Sequence, residues 1–322
     1  MNDRQICIGE ANLEVFSQTL MELAGRDRGI VVVTSDSRGS GKLGPFGQAY
    51  PDQLVEVGIA EQNLVGMAAG LAAAGKKVFA VSPACFLTAR SLEQIKNDVA
   101  YSDHPVKLVG ISAGISYGSL GSTHHSLHDF AVLQAIHNLD IVAPADNFET
   151  REAILAAARH PTPLYLRFGK KPMPHLHAPD TRFELGKALQ LTPRRDSYDA
   201  VLIAIGEAVA PALEASGELR QRGLSCCVLS LHSLRPFDEA AVLACARRAR
   251  VVVTAEEHSI HGGLGSRVAA CLMQAGVFRP LRIVGLPDEP TVTGSQAEIF
   301  RHYGISGSGL AQTALALLEG MD

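Results

Sequence analysis

The alternation of two kinds of segment along the whole chain is the feature that most limits its fold. Short apolar runs rich in β-branched residues are separated by stretches with the apolar period of a helix. Strands and helices that alternate in this way form a mostly parallel sheet covered by helices, so the predicted class is α/β. The runs are IVVVTS (30–35), VFAVS (78–82), VKLVGIS (106–112), DIVAP (140–144), DAVLIAIG (199–206), LSCCVLSL (224–231), RVVVTAEE (250–257) and LRIVGL (281–286).

The pattern stops between residues 168 and 184. There FGKKPMPHLHAPDTRFE combines three prolines and mixed charge with no period. Such a composition is typical of an extended linker between domains. We therefore predict two consecutive α/β domains, 1–180 and 185–322, a division that suits a length of 322 residues.

Two helices are predicted from residue pattern. One begins at Glu61 and places Leu64, Met67, Ala68 and Leu71 on one face. The other covers residues 148–159 and follows an Asp-Asn cap signal.

Composition argues against several classes of protein. The net charge is -4, and basic and acidic residues are interspersed, so no basic face is expected for nucleic acid. No run reaches the ~18 apolar residues of a membrane span, and MNDRQICIGEAN lacks the apolar region of a signal peptide. We expect a cytoplasmic protein whose six cysteines, which lack metal-ligand spacing, are reduced core residues.

Ligands of open parallel sheets bind at the carboxyl ends of the strands, so the loops that follow strands matter most. The loop SDSRGSGKLG (35–44) groups Asp36, Arg38, Ser40 and Lys42 among glycines. This composition suits an anionic ligand and equally an ordinary surface turn. In EVGIAEQNLVGMAAGLA (56–72), Glu61 opens an alanine-rich helix, where a carboxylate by itself simply complements the helix dipole.

A third loop, GISYGSLGSTHHSLHDF (114–130), carries His124, His125 and His128 after a central strand. Histidines in such a loop are either solvated or functional. A zinc site would need further ligands that the pattern does not supply.

Considered together and in order, five segments resemble the pyrimidine-binding and C-terminal domains of transketolases and deoxyxylulose-phosphate synthases. They are VGIAEQNLVGMAAGLAAAGKKVFAVS, RSLEQIKNDVAY, GSTHHS, IVAPAD and EEHSIHGGLGS. The resemblance covers nearly the whole chain. It implies a thiamine-diphosphate-dependent enzyme that transfers a two-carbon ketol unit from a ketose phosphate to an aldose phosphate.

The resemblance also implies roles for individual residues. Glu61 corresponds to the carboxyl group that hydrogen-bonds the aminopyrimidine and so favours the imino form that deprotonates the thiazolium. Ile59 and Phe86 fall in the cofactor pocket, with Phe86 as the stacking aromatic, and His124 corresponds to the histidine that contacts the donor sugar. The remaining substrate-binding positions implied are Asp36, Arg38, Ser40, His125 and Arg167.

Two departures from the family pattern concern the substrate. Leu120 stands where many members have an acidic residue, and Leu13 stands at or near the place of an arginine. Loss of the hydrogen bond to a donor hydroxyl should allow a different configuration or branching there. Specialised donors such as apulose 4-phosphate or a sulfonated deoxyfructose, both used by split transketolases, therefore come into consideration.

The 322 residues contain no Gly-Asp-Gly segment, which in the family binds the metal that holds the diphosphate. The resemblance thus implies an N-terminal partner subunit that carries this segment and Mg²⁺, in an α2β2 assembly. Three alternatives remain: the β subunit of a 2-oxoacid dehydrogenase, an enzyme like deoxyxylulose-phosphate synthase, and a regulatory subunit without catalytic activity.

Overall fold

The computed structural model describes residues 7–178 and 180–321. Residues 1–6, which form half of the segment that argues against a signal peptide, lie outside the described residues. Within the two described ranges, no helix is both long and apolar enough to cross a bilayer.

The first half of the chain supplies strands β1–β8 and helices α1–α7. Their bounds are β1 Ile8–Ala11, α1 Asn12–Ala24, β2 Ile30–Thr34, α2 Gly44–Ala49, β3 Leu54–Glu56, α3 Glu61–Ala73, β4 Lys77–Pro83, α4 Ala84–Arg90, α5 Leu92–Gln94, β5 Lys107–Ile111, α6 Asp129–Gln134, β6 Asp140–Val142, α7 Asn147–Ala157, β7 Leu164–Arg167 and β8 Pro172–Pro174. Helix α5 continues into a π-helical segment, Ile95–Tyr101.

The second half supplies the remaining elements. Their bounds are β9 Leu189–Gln190, β10 Tyr198–Ala204, α8 Val209–Gln221, β11 Cys226–Ser230, β12 Ser233–Arg235, α9 Glu239–Arg248, β13 Ala249–Ser259, α10 Leu264–Gln274, β14 Leu281–Leu286, α11 Gln296–His302 and α12 Gly307–Glu319.

Two mostly parallel sheets organise the described part of the chain. The first has seven strands in the order β12-β6-β7-β5-β4-β2-β3, and the second has five in the order β14-β13-β10-β11-β9. Only the edge strands β12 and β9 run antiparallel to their neighbours in these two sheets, as far as the described residues go. The predicted α/β class is confirmed.

Strand β2 shows why these runs are apolar without interruption. Ile30 and Val32 pack into one hydrophobic cluster, with α1 and α7, whereas Val31 and Val33 pack into another, with α3. Since helices cover both faces of the sheet, alternate residues of the strand are equally buried.

The predicted helices agree with the structure, with differences at the level of single residues. Helix α3 begins at Glu61, but Met67 is 38% exposed, and the buried face includes Val65 and Ala69 instead. Helix α7 is capped by Asp146, whose side chain accepts the backbone N–H of Glu149, and it begins one residue earlier than predicted.

Apart from β8, the described residues of the segment 168–184 are irregular, and the segment contacts β1 and α7 of the first half of the chain. Strand β8 pairs antiparallel with β1. The buried side chain of His177 contacts Asp146 at 2.8 Å and Glu149 at 3.1 Å. Burial opposes the charge of this imidazole, but the two carboxylates outweigh it and raise the pKa of His177 to about 9.

The two halves interlock through β12. This strand comes from the second half, yet it pairs with β6 at the edge of the first sheet. From the end of β12, Arg235 donates to the backbone carbonyl oxygens of Gln134, Ile136 and Leu139. The second half therefore completes the first sheet.

Candidate active site

Strands β2, β3, β4, β5 and β7 are mutually parallel, so their carboxyl ends lie along one edge of the first sheet. The loops after β2 and β5 and the start of α4 follow these ends directly, and α3 begins shortly after the end of β3. The predicted site residues lie in or beside these segments. One edge of one sheet therefore presents the candidate active site.

Glu61 is the first residue of α3, and its side chain is only 4% exposed. Glu56 holds the backbone segment that precedes Glu61. Glu56 Oε1 accepts the backbone N–H groups of Asp36 at 2.7 Å and Gly58 at 2.9 Å. Gly58 has a φ of 73°, which favours glycine. This turn ties the loop after β2 to the segment that presents Glu61.

A cavity of about 600 Å³ opens at the N-terminus of α3. This volume is in the usual range for a small-molecule site. Ile59 lies at its mouth and is 74% exposed. The residues that line it are Ile59, Ala60, Glu61, Gln62, Asn63 and Arg90.

A row of three rings, which we call the aromatic row, continues from this cavity. Phe86 and His124 lie 5.4 Å apart between ring centroids, and His124 and Tyr117 lie 5.3 Å apart, both in edge-to-face geometry. His124 Nδ1 lies 3.0 Å from the hydroxyl of Thr123. The structure thus brings Phe86 and His124 together from separate segments of the chain.

Arg90 connects Glu61 to the aromatic row. Its Nη1 donates to Glu61 Oε1 at 2.9 Å, and its Cζ lies 4.3 Å from the centroid of Phe86. Arg90 opens the segment RSLEQIKNDVAY, but the sequence analysis predicted no role for it. The available signal was its spacing, because Phe86 and Arg90 are four residues apart on α4 and therefore share a face.

Lys170 lies at the other end of the aromatic row, with Nζ 5.0 Å from the ring centroid of Tyr117. It is exposed and follows β7, so it offers a cation next to Tyr117, the ring that contacts His124. Neither Lys170 nor Tyr117 was predicted as a site residue, although the RFGKKP segment after an apolar strand was visible in the sequence.

Three predicted substrate residues make contacts within their own loops. The buried His125 places Nε2 3.0 Å from Gly118 O, and burial lowers its pKa. Arg38 is exposed and donates to Gly44 O at 3.2 Å, and the hydroxyl of Ser40 donates to Ser37 O. Arg38 and Ser40 remain accessible at the edge of the sheet, since both are at least partly exposed.

Arg167, also predicted to bind substrate, is buried between the two halves of the chain. Its Nε donates to Asp129 Oδ2 at 2.7 Å, and its Nη2 donates to Glu257 O at 2.8 Å and to Ser126 O at 3.3 Å. Burial opposes its charge, but Asp129 and Glu257 more than compensate and raise the pKa of Arg167. Its donors are thus directed to protein groups.

A pair of buried carboxyl groups lies behind the histidine loop. Gln296 Nε2 donates to Glu207 Oε2 at 2.5 Å and to Glu257 Oε1 at 2.7 Å. Glu257 Oε1 also accepts the backbone N–H of Ile115, at the start of the loop that carries His124. Burial, together with the neighbouring carboxyl group of Glu207, raises the pKa of Glu257 to about 8.

Across residues 7–178 and 180–321, no group of three or more His, Cys, Asp or Glu side chains has an arrangement that could hold a metal ion.

The chain matches two family models. The model described as transketolase, pyrimidine binding domain, matches residues 11–174, and that described as transketolase, C-terminal domain, matches residues 186–310. The first covers the elements that build the candidate active site.

Curated relatives of similar length also match. The chain is 46% identical over 305 residues to a subunit of the apulose-4-phosphate transketolase of Phocaeicola vulgatus, covering 94% of this chain and 96% of that protein. It is 35% identical over 306 residues to a 6-deoxy-6-sulfo-D-fructose transketolase subunit of a Clostridium species, covering 95% and 94%.

Among solved structures, one described as a split gene transketolase, inactive beta4 tetramer, superposes with a TM-score of 0.87. It is 33% identical, and the match covers 97% of this chain and 99% of that one.

Proposed function

This chain belongs to the transketolase family, and from that membership we propose that it is the C-terminal subunit of a thiamine-diphosphate-dependent transketolase. In this proposal it transfers a two-carbon ketol unit from a ketose phosphate to an aldose phosphate. The observation that carries the proposal is the placement of Glu61, buried at the start of α3 and joined through Arg90 to Phe86 and His124.

The residues present fit the pyrimidine end of thiamine diphosphate. The cavity offers a carboxylate that is almost fully removed from water, and the half-buried ring of Phe86 lies behind Arg90, which lines the cavity. An aminopyrimidine needs these two features, namely an acceptor for its ring nitrogen and an aromatic surface for its face. When bound, the cofactor would supply a thiazolium carbon acid, and with it a carbon nucleophile for the carbonyl group of the donor.

Glu61 and His124 have different tasks in this proposal. Glu61 shares a proton with the pyrimidine nitrogen, and burial strengthens that bond because the competing solvent is excluded. His124 lies next to Phe86 and can exchange hydrogen bonds with hydroxyl and carbonyl oxygens of a sugar, while Thr123 orients its ring.

The phosphate of the sugar needs cations at the periphery of the site. On the His124 side we propose Lys170 as the phosphate-binding cation, because it is exposed whereas Arg167 is buried in an ion pair with Asp129. Arg38 and Ser40, on the loop after β2, are proposed for a second phosphate position. Leu120 is 54% exposed on the same loop as His124, and we propose that it leaves room for a branched or otherwise unusual donor.

The diphosphate and Mg²⁺ require groups that these residues do not supply. We propose an N-terminal partner subunit with a Gly-Asp-Gly segment, assembled with this chain as α2β2. The similar beta4 tetramer is described as inactive, which agrees with a site that depends on a second polypeptide.

The test is reconstitution with a candidate partner subunit, thiamine diphosphate and Mg²⁺, followed by turnover of a donor panel. The panel holds common ketose phosphates, apulose 4-phosphate, 6-deoxy-6-sulfofructose and pyruvate. We expect a ketose donor to be consumed, and consumption of pyruvate alone would instead indicate a 2-oxoacid dehydrogenase or a synthase.

Glu61→Gln should remove nearly all turnover, because a neutral amide cannot share a proton in the same way. The matched control is Glu93→Gln, which changes an exposed carboxylate on α5. Unchanged turnover in the Glu61 variant would contradict a catalytic role and favour a regulatory subunit.

A further inference from the structure

Arg90 occupies an unusual position for an arginine in a ligand-sized cavity. It is the last residue of α4, and its side chain is 50% exposed, whereas that of its partner Glu61 is 4% exposed. The guanidinium therefore reaches from solvent into the cavity and covers the buried carboxylate there.

The guanidinium makes two contacts at once. One is the charged hydrogen bond from Nη1 to Glu61 Oε1, and the other is the approach of Cζ to 4.3 Å from the centroid of Phe86. A guanidinium is planar, donates hydrogen bonds in its plane and stacks on aromatic rings. An aminopyrimidine is also planar and needs a carboxylate at its edge and an aromatic ring at its face.

The guanidinium of Arg90 and an aminopyrimidine thus bind the same two side chains, the carboxylate of Glu61 and the ring of Phe86. Phe86 also contacts His124 in edge-to-face geometry, with 5.4 Å between the ring centroids, which limits the space at this ring. An aminopyrimidine on Glu61 and Phe86 therefore needs the position that Arg90 holds.

We infer that Arg90 is an internal occupant of the aminopyrimidine subsite, which it fills in the cofactor-free chain and must leave before the cofactor binds. This inference rests on the proposed function, because it takes Glu61 and Phe86 as the pyrimidine-binding pair. It assigns a role to the first residue of RSLEQIKNDVAY, for which the sequence analysis predicted none.

The exchange needs little movement of the backbone. Arg90 lies at the C-terminus of its helix, and its long stem can rotate the charged head into water. While the head is in place, it covers the side chain of Glu61 and donates to its Oε1. The apparent affinity for the cofactor is then reduced by the fraction of molecules in which the subsite is open.

The experiment is calorimetric titration of thiamine diphosphate with Mg²⁺ into the assembled pair of subunits. Arg90→Met keeps the aliphatic stem and removes the guanidinium, and Arg90→Lys keeps the charge but removes the plane. We expect Arg90→Met to tighten binding about fivefold to tenfold, as expected for a subsite that is closed for about 80–90% of the time. Arg90→Lys should fall between the wild type and Arg90→Met.

Arg151→Met is the matched control. Arg151 also pairs with a glutamate, Glu22, at 2.9 Å and is about as exposed as Arg90, but it lies on the surface of α7. We expect its cofactor affinity to equal that of the wild type. A folding check by circular dichroism accompanies each variant.

Unchanged or weaker binding by folded Arg90→Met would overturn the inference. Weaker binding would identify Arg90 as a ligand of the bound cofactor. These outcomes are separable from failure of the proposed function. If Glu61→Gln abolishes turnover while Arg90→Met does not tighten binding, the function stands and only the inference fails; if the wild-type pair binds no cofactor, the function itself fails.

Discussion

Replacing Arg167 by methionine should destabilise the protein strongly. Measuring the loss of stability distinguishes a structural role of Arg167 from a role in binding substrate. The side chain of Arg167 is 5% exposed and that of its partner Asp129 is fully buried. Removal of the guanidinium leaves the charge of Asp129 without its cation, while the hydroxyl of Tyr165 still donates to this carboxylate at 2.8 Å. Breaking a buried pair of this kind costs about 3–5 kcal/mol.

That cost is a large part of the total, since the free energy of unfolding of a typical native protein is only about 5–15 kcal/mol. Urea unfolding of the chain, followed by circular dichroism, measures it directly. Lys170→Met is the comparison, because Lys170 is an exposed cation that follows the same strand. It should change the free energy of unfolding by less than about 0.5 kcal/mol.

The two variants should also differ in kinetics. Lys170→Met should raise the KM for a phosphorylated substrate at least about tenfold, since a hydrogen bond to a charged group contributes about 1.5–3 kcal/mol and about 1.4 kcal/mol is a factor of ten. The reasoning from burial is refuted if Arg167→Met loses less than about 1 kcal/mol of stability and instead raises that KM. Such a result would restore Arg167 as a ligand of the substrate.

Three further substitutions test other contacts. Asp146→Ala should lower the free energy of unfolding by about 3 kcal/mol in urea titrations. The carboxylate of Asp146 accepts from Glu149 N, Leu176 N and His177 Nδ1, and each bond contributes about 1 kcal/mol. A loss of only about 1 kcal/mol would show that the carboxylate acts as a helix cap alone. The pKa of Glu257 is raised from 4.5 to about 8. The free energy that its protonated carboxyl group contributes to folding is therefore complete below about pH 4.5 and is lost as the pH rises through about 8. Glu257→Gln should flatten this decline in thermal melts across that range. Leu120→Asp should shift donor preference toward common ketose phosphates in competition assays, and an unchanged ratio of kcat/KM values would disprove a role for Leu120 in selectivity.

The general fold was accessible from the sequence because its central strands are apolar on both faces. Runs such as IVVVTS contrast sharply with amphipathic helices, and their alternation predicts parallel pairing. Strands β3, β8 and β12 are among those that were not predicted, together with β1, β7 and β9. The first three have three residues each, which is too short for a period, and each of them forms because a neighbouring strand supplies its hydrogen bonds.

The candidate site was only partly accessible. Glu61 and His124 were indicated by motifs that keep order and spacing along the chain. Arg90 and Lys170 were missed because a long side chain can reach many places from one backbone position, and only tertiary packing selects among them. The sequence position of Arg167, at the end of a central strand, likewise does not reveal that Asp129 and Glu257 surround its guanidinium.

The pairing of β12 with β6 has a consequence for dividing this polypeptide. The proline-rich segment 168–184 suggests a convenient place to express the two halves separately. A product ending there would lack its outermost strand, and the unpaired backbone of β6 would be an open edge available for aggregation. Arg235 would also be removed from the carbonyl oxygens to which it donates. Truncation, domain exchange and circular permutation should therefore carry residues 233–235 together with the first sheet.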